Sequence, residues 1–299
     1  MNGTTYNQLI IFHAIANENS VSKAAQKLEM APPSVSNALK ALEKELGLPL
    51  FTRTTRRIEL TEAGALLYER TLASVNELNF AVESIGDLSK VPSGKVRLTV
   101  PKFVYQHMLK PIYGKFCRRY PNIELEISVS DAAIDILKDG FDLGIRFGDR
   151  VEPEMVARQL TKPMVEAFFA SPQYIKEHGV PQTPNELEQH KLIQYRFITS
   201  NQIAPLLLNN NGETLTVDVP NALVVNDTDV MLDAALQGLG IGRMVAPIIE
   251  PYLEDGQLMP ILKDYWYPYS PLYVYFHRNT QKAKRVRVLI DFLLEELAS

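Results

Sequence analysis

For nucleophilic, general-base or metal chemistry the chain offers five histidines, His13, His107, His178, His190 and His277, and one cysteine, Cys117. The histidines are scattered, and neither a G-x-S-x-G elbow nor a phosphate-cradling glycine loop accompanies them. A single cysteine excludes a disulfide framework and a cysteine-cluster zinc site. No enzyme, metal or cofactor is therefore expected. The chemistry concentrates instead in "APPSVSNALKALEKELG", Ala31 to Gly47, where Ser34, Ser36, Asn37, Lys40 and Lys44 leave one side of the segment polar. Hydroxyl, amide and ammonium groups are the donors and acceptors that read base edges and phosphates in the major groove of double-stranded DNA.

Those side chains need a helix to present them. Val35, Leu39, Leu42 and Leu46 recur at spacings of four, three and four, one face of an α-helix. Pro32 or Pro33 suits its first turn, and Gly47 the left-handed position beyond its end. Just upstream, "SVSKAAQKLEM" offers Ser22 as N-cap of a short helix whose Ala24, Ala25 and Leu28 face inward. Two short helices joined by a tight turn make a helix-turn-helix. Arg53, Arg56 and Arg57 then surround a turn before the alternating strand Ile58 to Leu60, the arrangement of a wing that grips the phosphate backbone.

From Thr61, a suitable N-cap, to Lys90 there is no proline, enough for a helix of about 40 Å. Ala65, Tyr68, Leu72, Val75, Leu78, Val82 and Ile85 line one stripe of it, and a stripe that long calls for a partner helix or for the chain's own head. "VPSGK", Val91 to Lys95, reads as a hinge. Beyond it, strands and helices alternate: "KVRLTV", a helix Val104 to Arg119, "IELEISV", a helix in "DAAIDILKDG" and "FDLGIRFG", then a restart at "MVEAFFASPQYIKEHG". That order predicts two α/β lobes with mostly parallel sheets. The aromatic run "DYWYPYSPLYVYF" reads as a core strand returning to the first lobe, and "KAKRVRVLIDFLLEELAS" as a closing helix.

Ligands of such sheets sit at the C-terminal ends of strands, near helix N-termini. Here those stations are Lys102 and Phe103, Asp131, Arg146 and Phe147, and Asn226 to Thr228. Lys102 beside an aromatic Phe103 suits an organic or aromatic acid; the alternative is that Lys102 and Arg146 are surface charges or partners for Asp142 and Asp149. With 31 basic and 35 acidic residues the net charge is only -4, so the chain is no basic nucleic-acid coat. "MNGTTYNQLIIFHAIANENS" has no basic region ahead of its apolar residues, and no stretch approaches the roughly 18 apolar residues of a membrane span, so a cytoplasmic chain without membrane contact is expected.

The run from "FHAIANENSVSKAAQKLEMAPPSVSNALK" to "LGLPLFTRTTRRIELTEAGALLY" resembles the winged helix-turn-helix of LysR-type transcriptional regulators. "FDLGIRFGD", "FFASPQYIKEHGVPQTPNELEQHKLI" and "AALQGLGIG" extend the resemblance through the body. It implies an α/β protein overall: an all-α winged helix-turn-helix at 1–61, a linker helix and hinge at 62–93, and a two-lobed, periplasmic-binding-protein-like effector domain at 94–299. Lobe I would take about 94–162 and 268–299, and lobe II about 163–267. The resemblance also implies a homodimer or homotetramer paired through Tyr68, Leu72, Val75, Leu78, Val82 and Ile85, on an interrupted palindromic operator, with RNA polymerase as a further partner. Its effector cleft is assembled from the stations above, Asn226 and Thr228 included, and adds Thr199 and Ser200. Three departures stand out: relatives commonly carry serine where Ala31 stands and a basic residue where Asn37 stands, and they often place an effector-binding serine where Phe103 stands. The competing reading is a two-lobed small-molecule-binding protein or enzyme with an incidental helical head.

Overall fold

The computed structural model describes residues 3–53, 58–86, 91–151 and 155–297. The chain divides into two compact units, Met1–Ser89 with Leu137–Gly140, and Lys90–Ile136 with Phe141–Ser299.

The first unit holds helices α1 (Gly3–Glu18), α2 (Val21–Lys27) and α3 (Pro32–Leu46), strands β1 (Phe51–Arg53) and β2 (Ile58–Leu60), and the long helix α4 (Glu62–Gly86). Ser20, not Ser22, caps α2: its extended backbone lets Oγ accept from the Lys23 N–H at 3.3 Å, and Ser22 falls inside the first turn. On α3, Val35, Leu39 and Leu42 pack against Ile11, Phe12, Ile15, Ala24 and Ala25. Leu46, expected on the same stripe, is 45% exposed because it lies in the last turn. Gly47 stops the helix at φ 72°. The Glu43 carboxylate accepts from the backbone N–H of Leu50 (2.9 Å) and Phe51 (3.4 Å), fixing the start of the antiparallel β1–β2 pair. Thr61 caps α4 as expected, accepting from Gly64 N–H at 3.0 Å and donating to Pro49 O at 2.7 Å.

In the second unit, the first lobe comprises β3 (Gly94–Val100), α5 (Lys102–Val104) continued by a π-helical turn Tyr105–Leu109, α6 (Tyr113–Arg119), β4 (Ile123–Val129), β5 (Leu143–Phe147) and β6 (Val156–Gln159). The second lobe follows with β7 (Met164–Ala170), α7 (Pro172–His178), β8 (Leu192–Tyr195), β9 (Leu207–Asn210), β10 (Glu213–Thr216), β11 (Asn221–Val225), α8 (Thr228–Leu236), β12 (Gly242–Val245), α9 (Ala246–Glu254), β13 (Met259–Ile261) and β14 (Tyr267–Tyr269). Strand β15 (Leu272–Phe276) and helix α10 (Lys284–Leu297) return to the first lobe, whose sheet runs β4-β3-β5-β15-β6. Its β4, β3 and β5 are parallel, and β15 is antiparallel to β5 and β6.

Three expectations are corrected. The second lobe is not mostly parallel: β7 pairs antiparallel with β12, β13 and β14, while β8 runs parallel to β11 and makes one parallel bridge to Ile241. The helix read over 104–119 breaks at Lys110–Ile112, where Pro111 has no N–H to continue the ladder. "DAAIDILKDG" is not a helix: the Ala132 N–H goes to Ser130 Oγ at 3.3 Å and the Ala133 N–H to Thr199 Oγ1 at 2.8 Å. A bend and irregular backbone stand at its start, and only turns follow. Among the described residues no helix is long and apolar enough to cross a membrane, and no cluster of His, Cys, Asp and Glu could hold a metal ion.

Candidate nucleic-acid interface and effector cleft

Burying Val35, Leu39 and Leu42 turns the other face of α3 outward. Ala31, Pro32, Pro33, Ser34, Asn37, Lys40 and Lys44 are exposed and Ser36 is half-buried. Among the described residues neither Lys40 nor Lys44 is in an ion pair, so both ammonium groups are available to phosphates. Ser22 is exposed on α2. Arg53 ends β1, opposite Ile58; Arg56 and Arg57 lie outside the described residues.

In the second unit, the strand ends bring the expected stations together, with changed roles. Lys102 opens α5 and its backbone N–H donates to Asp131 Oδ1 at 3.0 Å. Its ammonium reaches the other lobe, 2.6 Å from Asp227 Oδ2 and 2.8 Å from Asp229 Oδ2. It is therefore not the free cation that the sequence implied. Hydrogen bonding to Asp227 and Asp229 raises the Lys102 pKa. Burial alone would push the Asp227 carboxyl up, but Lys102 and the N–H groups of Val230 and Asp229 outweigh it and hold the carboxyl low. Asp227 Oδ1 caps α8, accepting from Asp229 N–H at 2.9 Å and Val230 N–H at 3.3 Å. Asn226 is exposed just ahead of it and Thr228 half-buried.

Arg146 is also committed. Its buried guanidinium donates to the carbonyls of Ile145 (2.8 Å), Ser130 (3.2 Å) and Thr99 (3.5 Å) and to Thr99 Oγ1 (3.4 Å). Burial lowers its pKa. Its visible work is to satisfy carbonyls at the ends of neighbouring strands. Phe103 stacks on Phe147 at 5.5 Å, and Phe147 on Tyr269 at 5.1 Å, an aromatic column that passes from lobe to lobe. The Tyr269 hydroxyl donates to Glu166 Oε1 at 2.9 Å, and Arg243 pairs with the other Glu166 oxygen at 3.3 Å. Arg150 lies 5.2 Å over the Phe197 ring. Thr199 meets Ala133 across the lobes, whereas Ser200 only accepts from Gln202 N–H in its own turn.

Residues 6–65 match the model of the bacterial regulatory helix-turn-helix protein, lysR family, and residues 89–298 that of the LysR substrate binding domain. The chain belongs to the LysR family of transcriptional regulators. Of its curated relatives, the uncharacterized HTH-type regulator YhjC of Escherichia coli K12 is 32% identical over 287 residues, covering 95% of this chain and 94% of its own. The solved structure of CrgA, a LysR-type regulator from Neisseria meningitidis, is 27% identical, covers all of both chains and aligns with a TM-score of 0.62. That of the Vibrio cholerae virulence activator AphB is 26% identical, covers 98% of this chain and 99% of its own, and gives 0.63.

As a LysR-type regulator the chain binds DNA through its helix-turn-helix and carries an effector-binding domain. Its linker stripe divides. Tyr68 and Leu72 pack into the chain's own head, and the Tyr68 hydroxyl donates to Asn17 at 2.5 Å. Val75 is buried, Leu78 is 44% and Val82 71% exposed, and the Ile85 side chain lies outside the described residues. Sequence reading placed Asp227 only inside the station Asn226 to Thr228 and missed Asp229, Glu166, Arg243, Tyr269, Arg150 and Phe197. Only Asp227 carried a local signal, an aspartate directly before an apolar helix, which is the mark of an N-cap.

Proposed function

We propose that this LysR-type regulator acts as a homodimer, alone or paired into a tetramer, on an interrupted palindromic operator, and that a small organic or aromatic acid bound between the lobes biases its grip. The observation that carries the DNA reading is the exposed polar face of α3, with Ser34, Asn37, Lys40 and Lys44 opposite buried Val35, Leu39 and Leu42. In this account Asn37 pairs with an adenine edge while Lys40, Lys44 and the wing arginines Arg53, Arg56 and Arg57 neutralise phosphates. Among the described large side chains of the linker stripe, Leu78 and Val82 are left for a second subunit, so Tyr68 and Leu72 fall outside the dimer contact.

The division we propose is a reading head at 1–61, a linker at 62–93 and an effector domain at 94–299, in which RNA polymerase meets the DNA-bound assembly. Support for an acid comes from a cation, Lys102, carried on the same short helix as Phe103, whose ring stacks on Phe147. The ligand changes regulation only so far as it binds one arrangement of the assembly better than another. Binding of a captured operator at increasing salt tests the DNA reading. Lys44→Ala should reduce the slope of log affinity against log salt by about one, and Asn37→Ala should cost about 1–3 kcal/mol at one base position only. Equal salt slopes and equal base preferences in both variants would remove α3 from the interface.

A further inference from the structure

Among the described residues the interlobe ion pairs converge on one side chain. Lys102 belongs to the first lobe, where Asp131 holds its backbone N–H, yet its ammonium lies between Asp227 and Asp229 at the N-terminal end of α8 in the second lobe. Gln106, in the π-helical turn that follows, donates to Asp229 Oδ2 at 3.2 Å. The Lys102 and Asp229 side chains are 28% and 53% exposed, so the pair is reachable from solvent. Phe103, the residue after Lys102, stacks its ring on Phe147.

We propose that Asp227 and Asp229 are internal competitors for the ligand position on Lys102: together they latch the two lobes in the effector-free chain and set how strongly an acid must bind to displace them. The inference rests on the acid reading above for its ligand, and on the observed ion pairs for its latch.

Three physical points carry it. A carboxylate approaching Lys102 meets an ammonium already neutralised and two nearby carboxylates, so it is repelled unless the ammonium leaves them. The competent state is then a minor one, and the apparent affinity falls by its population. Release is also cheap on the protein side. When Lys102 departs, Asp227 keeps the N–H groups of Asp229 and Val230, and the exposed Asp229 keeps the Gln106 amide and gains water. An acid that takes Lys102 thereby breaks the ion pairs that join the lobes, which couples binding to lobe movement.

The chain carries its own probes for the test. Cys117, the only cysteine, is exposed on α6 of the first lobe, and Trp266, the only tryptophan, lies beside β14 of the second. Energy transfer from Trp266 to a fluorophore on Cys117 is measured in the full-length protein, diluted into unlabelled Trp266→Phe chains so that transfer stays within one subunit. Native protein, Lys102→Met, Lys102→Arg and Asp229→Ala are compared, with benzoate as the probe ligand. Unfolding curves identify any variant that has lost its fold. Asp229→Ala, at an exposed side chain, keeps the comparison alive if Lys102→Met fails to fold.

Lys102→Met and Asp229→Ala should change transfer without ligand, while Lys102→Arg stays close to native. Benzoate should move native transfer toward the variants' value, half-complete at on the order of tenfold less benzoate in Asp229→Ala, within the range of coupled sites. Transfer identical in native protein, Lys102→Met and Asp229→Ala overturns the latch. Transfer that changes in the variants but ignores benzoate throughout leaves the latch standing and removes the acid as effector class.

Discussion

The imidazole Nε2 of His13 lies 2.7 Å from Thr71 Oγ1, and this contact ties α1 of the reading head to the linker helix α4. The Thr71 hydroxyl gives its proton to Leu67 O at 2.6 Å, so it accepts from His13, which must carry its proton on Nε2. Nδ1 is then a bare acceptor, buried and without a partner among the described residues. Charging the ring would place a proton there with nothing to receive it, and burial accordingly lowers the His13 pKa from 6.5 to about 4.

Acid should therefore weaken the head. A native-state pKa below the unfolded value means that the unfolded chain binds the proton first as pH falls. The contribution is complete above pH 6.5, is lost progressively between 6.5 and 4, and is constant below. The loss amounts to about 3 kcal/mol. Urea unfolding followed across that window should show a shallower pH slope in His13→Gln than in the native chain. Equal slopes would assign the acid sensitivity to other groups.

Gly64, in the first turn of α4, has no room for a side chain, because a Cβ there would overlap the backbone carbonyl of Leu50. Backbone cannot swing aside as a side-chain tip can, so Gly64→Ala must shift α4 from the strand that leads to the wing. Such overpacking costs about 1–3 kcal/mol. Thermal unfolding should fall accordingly, and operator affinity with it, whereas Gly47→Asn, at φ 72° in open space, should stay near native in both.

The buried Arg243–Glu166 pair ties β12 and β7 to the segment ahead of β9 and to β14. Arg243 donates to the carbonyls of Ala204 (2.7 Å) and Pro205 (2.6 Å), and Glu166 receives the Tyr269 hydroxyl. Arg243→Met leaves Glu166 buried with no cation and should cost about 3–5 kcal/mol. Tyr269→Phe removes one hydrogen bond to a charged group, keeps the stack on Phe147, and should cost about 1–3 kcal/mol. Urea denaturation ranks the two, and a larger loss in Tyr269→Phe would contradict this assignment of the load.

What was legible in the sequence was what neighbours in the chain decide. The stop at Pro32 and Pro33, the stripe Val35, Leu39 and Leu42, the left-handed Gly47 and the Thr61 cap all act within a turn or two, and the structure places them as read. What misled depends on distant partners. The segment after Asp131 has helical periodicity, yet Thr199, 66 residues away, takes the Ala133 N–H. Lys102 reads as a free cation because Asp227 is 125 residues further on. Arg146 reads as a ligand residue because its carbonyl partners sit on strands that only the fold brings together. The linker stripe has one period throughout, and nothing in that period marks where the chain's own head stops covering it.

The central claim is that α3 reads DNA sequence. Its most direct test is genome-wide capture of bound fragments by the purified full-length protein, beside a variant carrying Ser36→Ala, Asn37→Ala and Lys40→Ala, at one moderate salt concentration. The account predicts a short interrupted palindrome enriched by the native chain and lost in the variant. The same enrichment by both proteins, or uniform weak capture by the native chain, would contradict it.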